Sequence, residues 1–363
     1  MDRELQAIFA LVRAGLWGRY DEAMATAFPL SAESWERVFT LARQQTVTGI
    51  AFRGLDYLPD EAAPSMGLTA KWMAYADRIE QSNQTVNETL AMLCRHFEST
   101  GQRTVLQKGP GVAMMYPEPL LRECGDIDLF FPDNDDGNED PLAGIPGAEM
   151  QAKPDESWEY VVNGVIIERH SHLVDILRPK SRKFVNKLIV EKGFESVCVA
   201  GCNVLIPAPE VNLLLLSSHI LKHAFGVGIG LRQFCDMAVA IRCYSDRVNP
   251  QEMRKIYRQA GLGKWAELLE AFLVEYLGLD LNQSLNEEMH SKYVKKTRIL
   301  LDIIVKGGNF GHFTGKREMA SQNKVSRKLH TLTSFWGNLP FVLTYAPGEW
   351  FWTMVQLTGG QMR

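Results

Sequence analysis

The chain has 363 residues, 46% of them hydrophobic and 23% charged, the balance of a globular protein long enough for two or three modules. Its formal net charge of −4 argues against a protein that coats nucleic acid, because neutralising phosphates takes a strong basic excess; one local basic site is still compatible with it. The six cysteines make no compact framework, the amphipathic start has no leader-peptide pattern, and no apolar run nears the roughly 18 residues of a membrane span, so a cytoplasmic protein with reduced thiols is expected.

Residues 1 to about 95 read as helical. Leu5, Ile8, Phe9, Leu11, Val12 and Leu16 recur at helical spacing. Ser31, followed by Glu33 and Glu36, predicts a capped helix start. The stretch from Leu68 to Thr100 reads as one long helix or two. Near residue 100 the texture changes. RTVLQKG predicts a short strand ending in Gly109, and a glycine-rich turn then leads into a short helix stopped by Pro117 and Pro119. LLRECGDIDLFFP predicts a strand with acids inside an apolar run. The acidic stretch 133–147 reads as a surface loop. Apolar alternation on both sides of Asn163-Gly164 predicts a hairpin, and SVCVAGCNVLIP a second pair of strands turning at Gly201. From Pro209 the chain turns helical again, over 209–225, 230–245 and on to about residue 306. A glycine-rich segment, 306–316, is expected as a loop or lid before an aromatic tail. The expected fold class is α+β: a helical region over 1–98, a small mixed sheet over 99–208, and a helical region over 209–363.

Asp126 and Asp128 stand at i and i+2. On a strand both carboxylates share one face, while Ile127, Leu129 and Phe131 take the other. Adjacent acids on an apolar strand repel, and a hard divalent cation relieves them, since Mg²⁺ takes one or two carboxylates together with substrate phosphates. Glu168 lies inside a second predicted strand, sharing a face with Ile166, His170 and His172. If the two strands are neighbours, three carboxylates converge, a set suited to two metals about 4 Å apart and in-line phosphoryl displacement. Lys108, Gly109 and Gly111 form a turn that can cradle a phosphate, and Arg122 is within reach of a triphosphate. The plainer alternative is an exposed Asp-Ile-Asp pair with a solvated lysine and a surface arginine.

Several of these features together resemble a known family. Lys108-Gly109, Tyr116-Pro117, Arg122, the strand from Gly125 to Phe130, Glu168 to His170, the helical pair His219 and His223, and Asp236 recur in the same order. In that arrangement roughly residues 5 to 245 resemble a bacterial family of uncharacterised nucleotidyltransferases in the DNA-polymerase-beta-like superfamily. The resemblance implies Asp126, Asp128 and Glu168 as ligands of Mg²⁺ or Mn²⁺, a nucleoside triphosphate as donor, and an acceptor that the resemblance does not name. In the wider superfamily the turn is Gly-Ser or Gly-Gly, with the Asp pair about a dozen residues later. Here Pro110 follows Gly109, the gap to Asp126 is longer, and the serine is missing. Two readings follow: an enzyme moving a nucleoside monophosphate to a hydroxyl of a small molecule, protein or RNA, or a degenerate module that binds a nucleotide or a partner. Neither a membrane nor an extended nucleic-acid surface is expected.

His219 and His223 sit at i, i+4 on one helical face, but Ile220 stands where a metalloprotease glutamate would be. A buried structural pair, nucleotide contacts and a metal site are all open for them. His223, Arg232 and Lys222 face the triphosphate if these helices pack over the sheet. His170 and His172 are candidate general bases.

Overall fold

The computed structural model describes residues 2–20, 22–133, 140–152, 158–225, 228–280, 287–307 and 339–359. The glycine-rich segment expected as a loop or lid lies outside them from residue 308 on. The chain divides into two compact units, one of Met1–Leu173 with Phe194–Ile206 and the other of Val174–Gly193 with Pro207–Arg363. Among the described residues, no helix is long and apolar enough to cross a membrane.

The first unit opens with helices, of which the short α2 is Glu22–Ala27. α1 (Arg3–Trp17) and α4 (Thr48–Leu55) touch backbone to backbone, because glycines stand at the crossing. A Cβ on Gly15 would lie 1.9 Å from the carbonyl oxygen of Ile50, and one on Gly54 would lie 2.1 Å from that of Leu11. α3 (Ala32–Gln44) starts where Ser31 predicts it, with the Ser31 hydroxyl accepting from the Ser34 amide. The predicted long helix is one helix, α5 (Met66–Thr100), of 35 residues and so about 52 Å long. Its amino-terminal half buries Trp72 against Trp35 and Phe39, and the indole N–H donates to the Thr48 carbonyl at 3.0 Å. α4 has no cap from its own flank. Instead Glu123, just ahead of the acidic strand, accepts the Thr48 amide at 2.9 Å. The α4 start is thereby tied to the site strand.

The carboxy-terminal half of α5 lies under a mixed sheet, which has seven strands among the described residues in the order β3-β4-β5-β2-β1-β7-β6. They are β1 (Val105–Gln107), β2 (Asp126–Phe130), β3 (Glu149–Ala152), β4 (Trp158–Val162), β5 (Val165–His170), β6 (Phe194–Val199) and β7 (Cys202–Pro207). β2 runs antiparallel to β1 and parallel to β5. Side chains alternate faces along a strand. One face gives Leu106, Ile127, Leu129, Ile167, Val204 and Ile206 to a core with Val86, Leu90, Leu93 and Phe97 of α5. Parity therefore commits Gln107, Asp126, Asp128, Glu168 and His170 to the other face. Both predicted hairpins form. Asn163 and Gly164 have φ of 51° and 76°, and Ala200 and Gly201 have 49° and 77°, as two-residue hairpin turns require.

The second unit is helical: α7 (Pro179–Lys192), α8 (Pro209–Phe225), α9 (Leu231–Cys243), α10 (Pro250–Gln259), α11 (Gly263–Leu277), α12 (Glu287–Tyr293), α13 (Arg298–Gly307) and, beyond residues outside the description, α14 (Leu339–Tyr345) and α15 (Pro347–Gly359). Its core holds Trp265, Phe234 and Phe272, and the Trp265 indole donates to the Ser217 carbonyl at 3.0 Å. α11 buries Glu270 beside a cavity of about 30 Å³, room for one or two waters. Burial pushes the Glu270 carboxyl up to about 7, against the attraction of Arg254.

Three predictions test this packing. Gly54→Ala forces a methyl into backbone that cannot yield, so urea unfolding should show a loss of about 1–3 kcal/mol. Gly67→Ala, where nothing lies within 4 Å of the added atom, should be neutral or up to about 1 kcal/mol stabilising. For Glu270 the folded pKa is raised above the unfolded one. Its stabilising share is full below about pH 4.5 and is lost as pH rises through about 7. Wild type should therefore lose up to about 3 kcal/mol between those limits, while Glu270→Gln shows a flatter profile over the same window.

Candidate active site

The three central strands assemble the site. Asp128 on β2 stands level with Glu168 on β5 and with Gln107 on β1. Gln107 is itself fixed by donating to the His172 carbonyl at 3.0 Å. Asp128 is only 4% exposed, and an isolated carboxylate there would cost several kcal/mol. It is not isolated. Lys108 Nζ lies 3.1 Å from Oδ2, and His170 Nε2 lies 2.5 Å from Oδ1. His170 donates in the tautomer that carries its proton on Nε2. The same Nε2 is 3.9 Å from Glu168 Oε2. Burial works to raise the Asp128 pKa, but the Lys108 charge and the His170 hydrogen bond outweigh it. The carboxyl is held well below the usual carboxylate range and is ionised at neutral pH.

Lys108 reaches Asp128 through an uncommon backbone. It is the residue before α6 (Gly109–Ala113) and has φ 49° and ψ −140°, a conformation that a side chain disfavours by about 1–3 kcal/mol. Gly109 follows with φ 49°, and a Cβ there would come within 3.4 Å of the Asp126 carbonyl oxygen. Gly111 is small for packing reasons, since a Cβ would lie 2.9 Å from Ile206 Cγ2. Its amide donates to the Lys108 carbonyl at 3.2 Å. The fold thus accounts for both glycines without a phosphate. Pro110 sits in the first turn of α6, where a missing N–H costs nothing.

Among the described residues, one group of side chains has the make-up of a cation site. The ligand atoms of Asp128, Glu168 and His170 all lie within 4.8 Å of one another. Two carboxylates and an imidazole, one carboxylate buried and ionised, suit a hard or borderline divalent cation. Asp126 occupies the preceding position on the same face and is partly buried, outside that group. Arg122 is 3% exposed, and its carbonyl accepts from the Asn83 amide at 2.9 Å. His223 and Arg232 belong to the second unit, on α8 and α9. The His219 and His223 rings pack edge to face with centroids 4.4 Å apart, and no third ligand group joins them among the described residues. The sequence reading places His170 near the site as a candidate base. The structure makes it the direct partner of Asp128, which the shared parity of 168 and 170 with Asp128's neighbour strand hints at.

The strain and the ion pair separate in one comparison. Lys108→Ala leaves the buried carboxylate one partner short and should cost about 3 kcal/mol in chemical denaturation. Lys108→Gly loses the same pair but relieves the backbone, so it should be about 1 kcal/mol more stable than Lys108→Ala. Equal stability of the two variants would remove strain from the account.

Comparison with known proteins bears on what such a site belongs to. No curated protein matches the chain. A solved structure, that of an antigenic nucleotidyltransferase-like protein from Paracoccidioides brasiliensis, is 13% identical over 54% of this chain and 94% of its own. Its TM-score of 0.34 is too low for the likeness to carry any argument. The family model described as "Uncharacterised nucleotidyltransferase" matches residues 31–278, more than half of the chain and all of the site residues named above. The chain belongs to this family of uncharacterised nucleotidyltransferases.

Proposed function

We propose that the protein is a metal-dependent nucleotidyltransferase of the polymerase-beta-like type, moving a nucleoside monophosphate from a triphosphate donor to an acceptor hydroxyl. The observation that carries this reading is a buried, ionised Asp128 level with Glu168 on a parallel strand pair. In the reaction the acceptor oxygen bonds to the α-phosphorus, the bond to the bridging oxygen breaks, pyrophosphate leaves, and the hydroxyl proton passes to solvent. Asp128 and Glu168 would hold Mg²⁺ or Mn²⁺, with Asp126 one step along the same face as the further carboxylate. A bound divalent cation neutralises triphosphate charge and lowers the pKa of an attacking hydroxyl.

The chain's own groups do the rest. Lys108 neutralises Asp128 at rest and, once released from it, offers its ammonium to the triphosphate. His170 holds the Asp128 carboxylate in one orientation. Glu168 keeps a third of its side chain exposed to solvent. Catalysis of this kind is mainly positioning and charge stabilisation.

A second reading is favoured by one observation. Lys108 and His170 already satisfy both oxygens of Asp128, as a degenerate nucleotide-binding or partner-binding module would require.

A thermal-shift titration of ATP, GTP, CTP and UTP with Mg²⁺ or Mn²⁺ separates the two. A ligand at a hundred times its Kd adds about 2.7 kcal/mol. The enzyme reading expects a metal-dependent shift with at least one nucleotide, abolished in Asp126→Asn/Asp128→Asn. A shift that needs no metal and survives in that variant would point to the degenerate module. No shift from folded protein would sink nucleotide binding altogether.

A further inference from the structure

The net charge of −4 hides an uneven distribution. Residues 176–190 contain Arg178, Lys180, Arg182, Lys183 and Lys187 and no acid. They supply α7 up to its last two residues, the exposed Glu191 and then Lys192, and α7 buries Ser181, Val185 and Leu188 on one side at i, i+4 and i+7. Lys180, Arg182, Lys183 and Lys187 are all exposed on the remainder. Several other cations of the chain are matched: Arg37 with Glu4 and Glu33, Lys71 with Glu36, Lys222 with Asp175, and Lys192 with Glu210 and Glu252. The four cations on α7 make no ion pair with any acid among the described residues.

The neighbouring helix extends the surface. Lys192 meets Glu252, while Ser181 Oγ lies 3.5 Å from the Gln259 carbonyl oxygen. The ends of α7 and α10 therefore meet in antiparallel order. α10 adds exposed Lys255 and Arg258, likewise without an acidic partner among the described residues.

We propose that this α7–α10 face docks the phosphodiester backbone of a nucleic acid. The argument is charge complementarity at the right scale. Lys180 to Lys187 spans about 10 Å of helix at 1.5 Å per residue. A nucleic-acid strand presents a phosphate about every 3.4 Å of its axis, so the helix can meet several phosphates at once. An anionic membrane fits less well, because a helix lying on lipid needs an apolar face with bulky side chains. The exposed side of α7 offers Val190 as its only large exposed hydrophobic among the described residues. The proposal is independent of the transfer reading, because binding to this face needs no nucleoside triphosphate.

The test is fluorescence anisotropy of the full chain with a labelled 20-nucleotide single-stranded RNA of mixed sequence, without nucleotide, across a salt series. The expected result is binding whose log–log salt slope falls by roughly 2–3 in Lys180→Glu/Lys183→Glu/Lys187→Glu. Affinity at low salt should drop at least tenfold in that variant. A variant with the same charge change elsewhere, Lys71→Glu/Arg78→Glu/Lys295→Glu, should stay within threefold of wild type, and circular dichroism should show both variants folded. Equal loss in the two variants would assign the attraction to overall charge and overturn the proposal. So would absence of RNA binding by wild type, or its binding to phosphatidylserine vesicles in place of RNA.

Discussion

A buried negative charge is the constraint around which the first unit is arranged. Asp128 sits on the central strand of the sheet, where water cannot solvate it, so the fold must supply its partners, a counter-charge and a hydrogen-bonding ring. Each comes from a different adjacent strand. Lys108 directly follows β1 and His170 ends β5, and both reach Asp128 only because β2 is paired on each side in one register. A slip of one residue would send Asp128 into the apolar core and Ile127 or Leu129 out of it. The apolar face of the sheet and the charged face thus specify the same register for independent reasons.

That register is held from outside the sheet as well. α5 packs its carboxy-terminal half under β1, β2, β5 and β7 and its amino-terminal half among the first helices. The Glu123 cap on α4 and the Asn83 amide on the carbonyls of Leu120 and Arg122 fix the segment leading into β2. Small residues allow this closeness. A Cβ on Gly49 would lie 2.3 Å from the Leu121 carbonyl oxygen, so α4 abuts the same segment without an intervening side chain. Precision at Asp128 therefore depends on glycines that carry no chemistry themselves.

Much of this was legible in the sequence, where local pattern and local structure agree. The Asn163-Gly164 hairpin, the Ser31 cap, the acidic strand and the helices after Pro209 follow from short-range periodicity and turn chemistry. The α+β class and the shared face of Asp126 and Asp128 follow from the same signals. What escaped the sequence depends on long-range pairing. No local signal states that β5 lies parallel beside β2, or that His170 and Lys108 both turn onto Asp128 while Asp126 falls outside the group. α7 and the edge strand β3 escaped for another reason. α7 has few apolar positions among many cations, and its buried Ser181, Val185 and Leu188 form a thin stripe. Averaging charge over the whole chain hid its basic face.

The resting ion-pair network also shapes how ligands would couple. Under the transferase reading, Asp128 starts out compensated, so a cation entering alone gains one attraction while displacing others of comparable size. Lys108 would then be left as an unpaired, largely buried ammonium, which is costly. A triphosphate arriving with the cation removes that cost, because it offers Lys108 a new anion. Each ligand then pays less in the presence of the other, which is positive coupling by definition and must be reciprocal. The strained backbone at Lys108 holds the ammonium against Asp128, where under that reading the exchange of partners would begin.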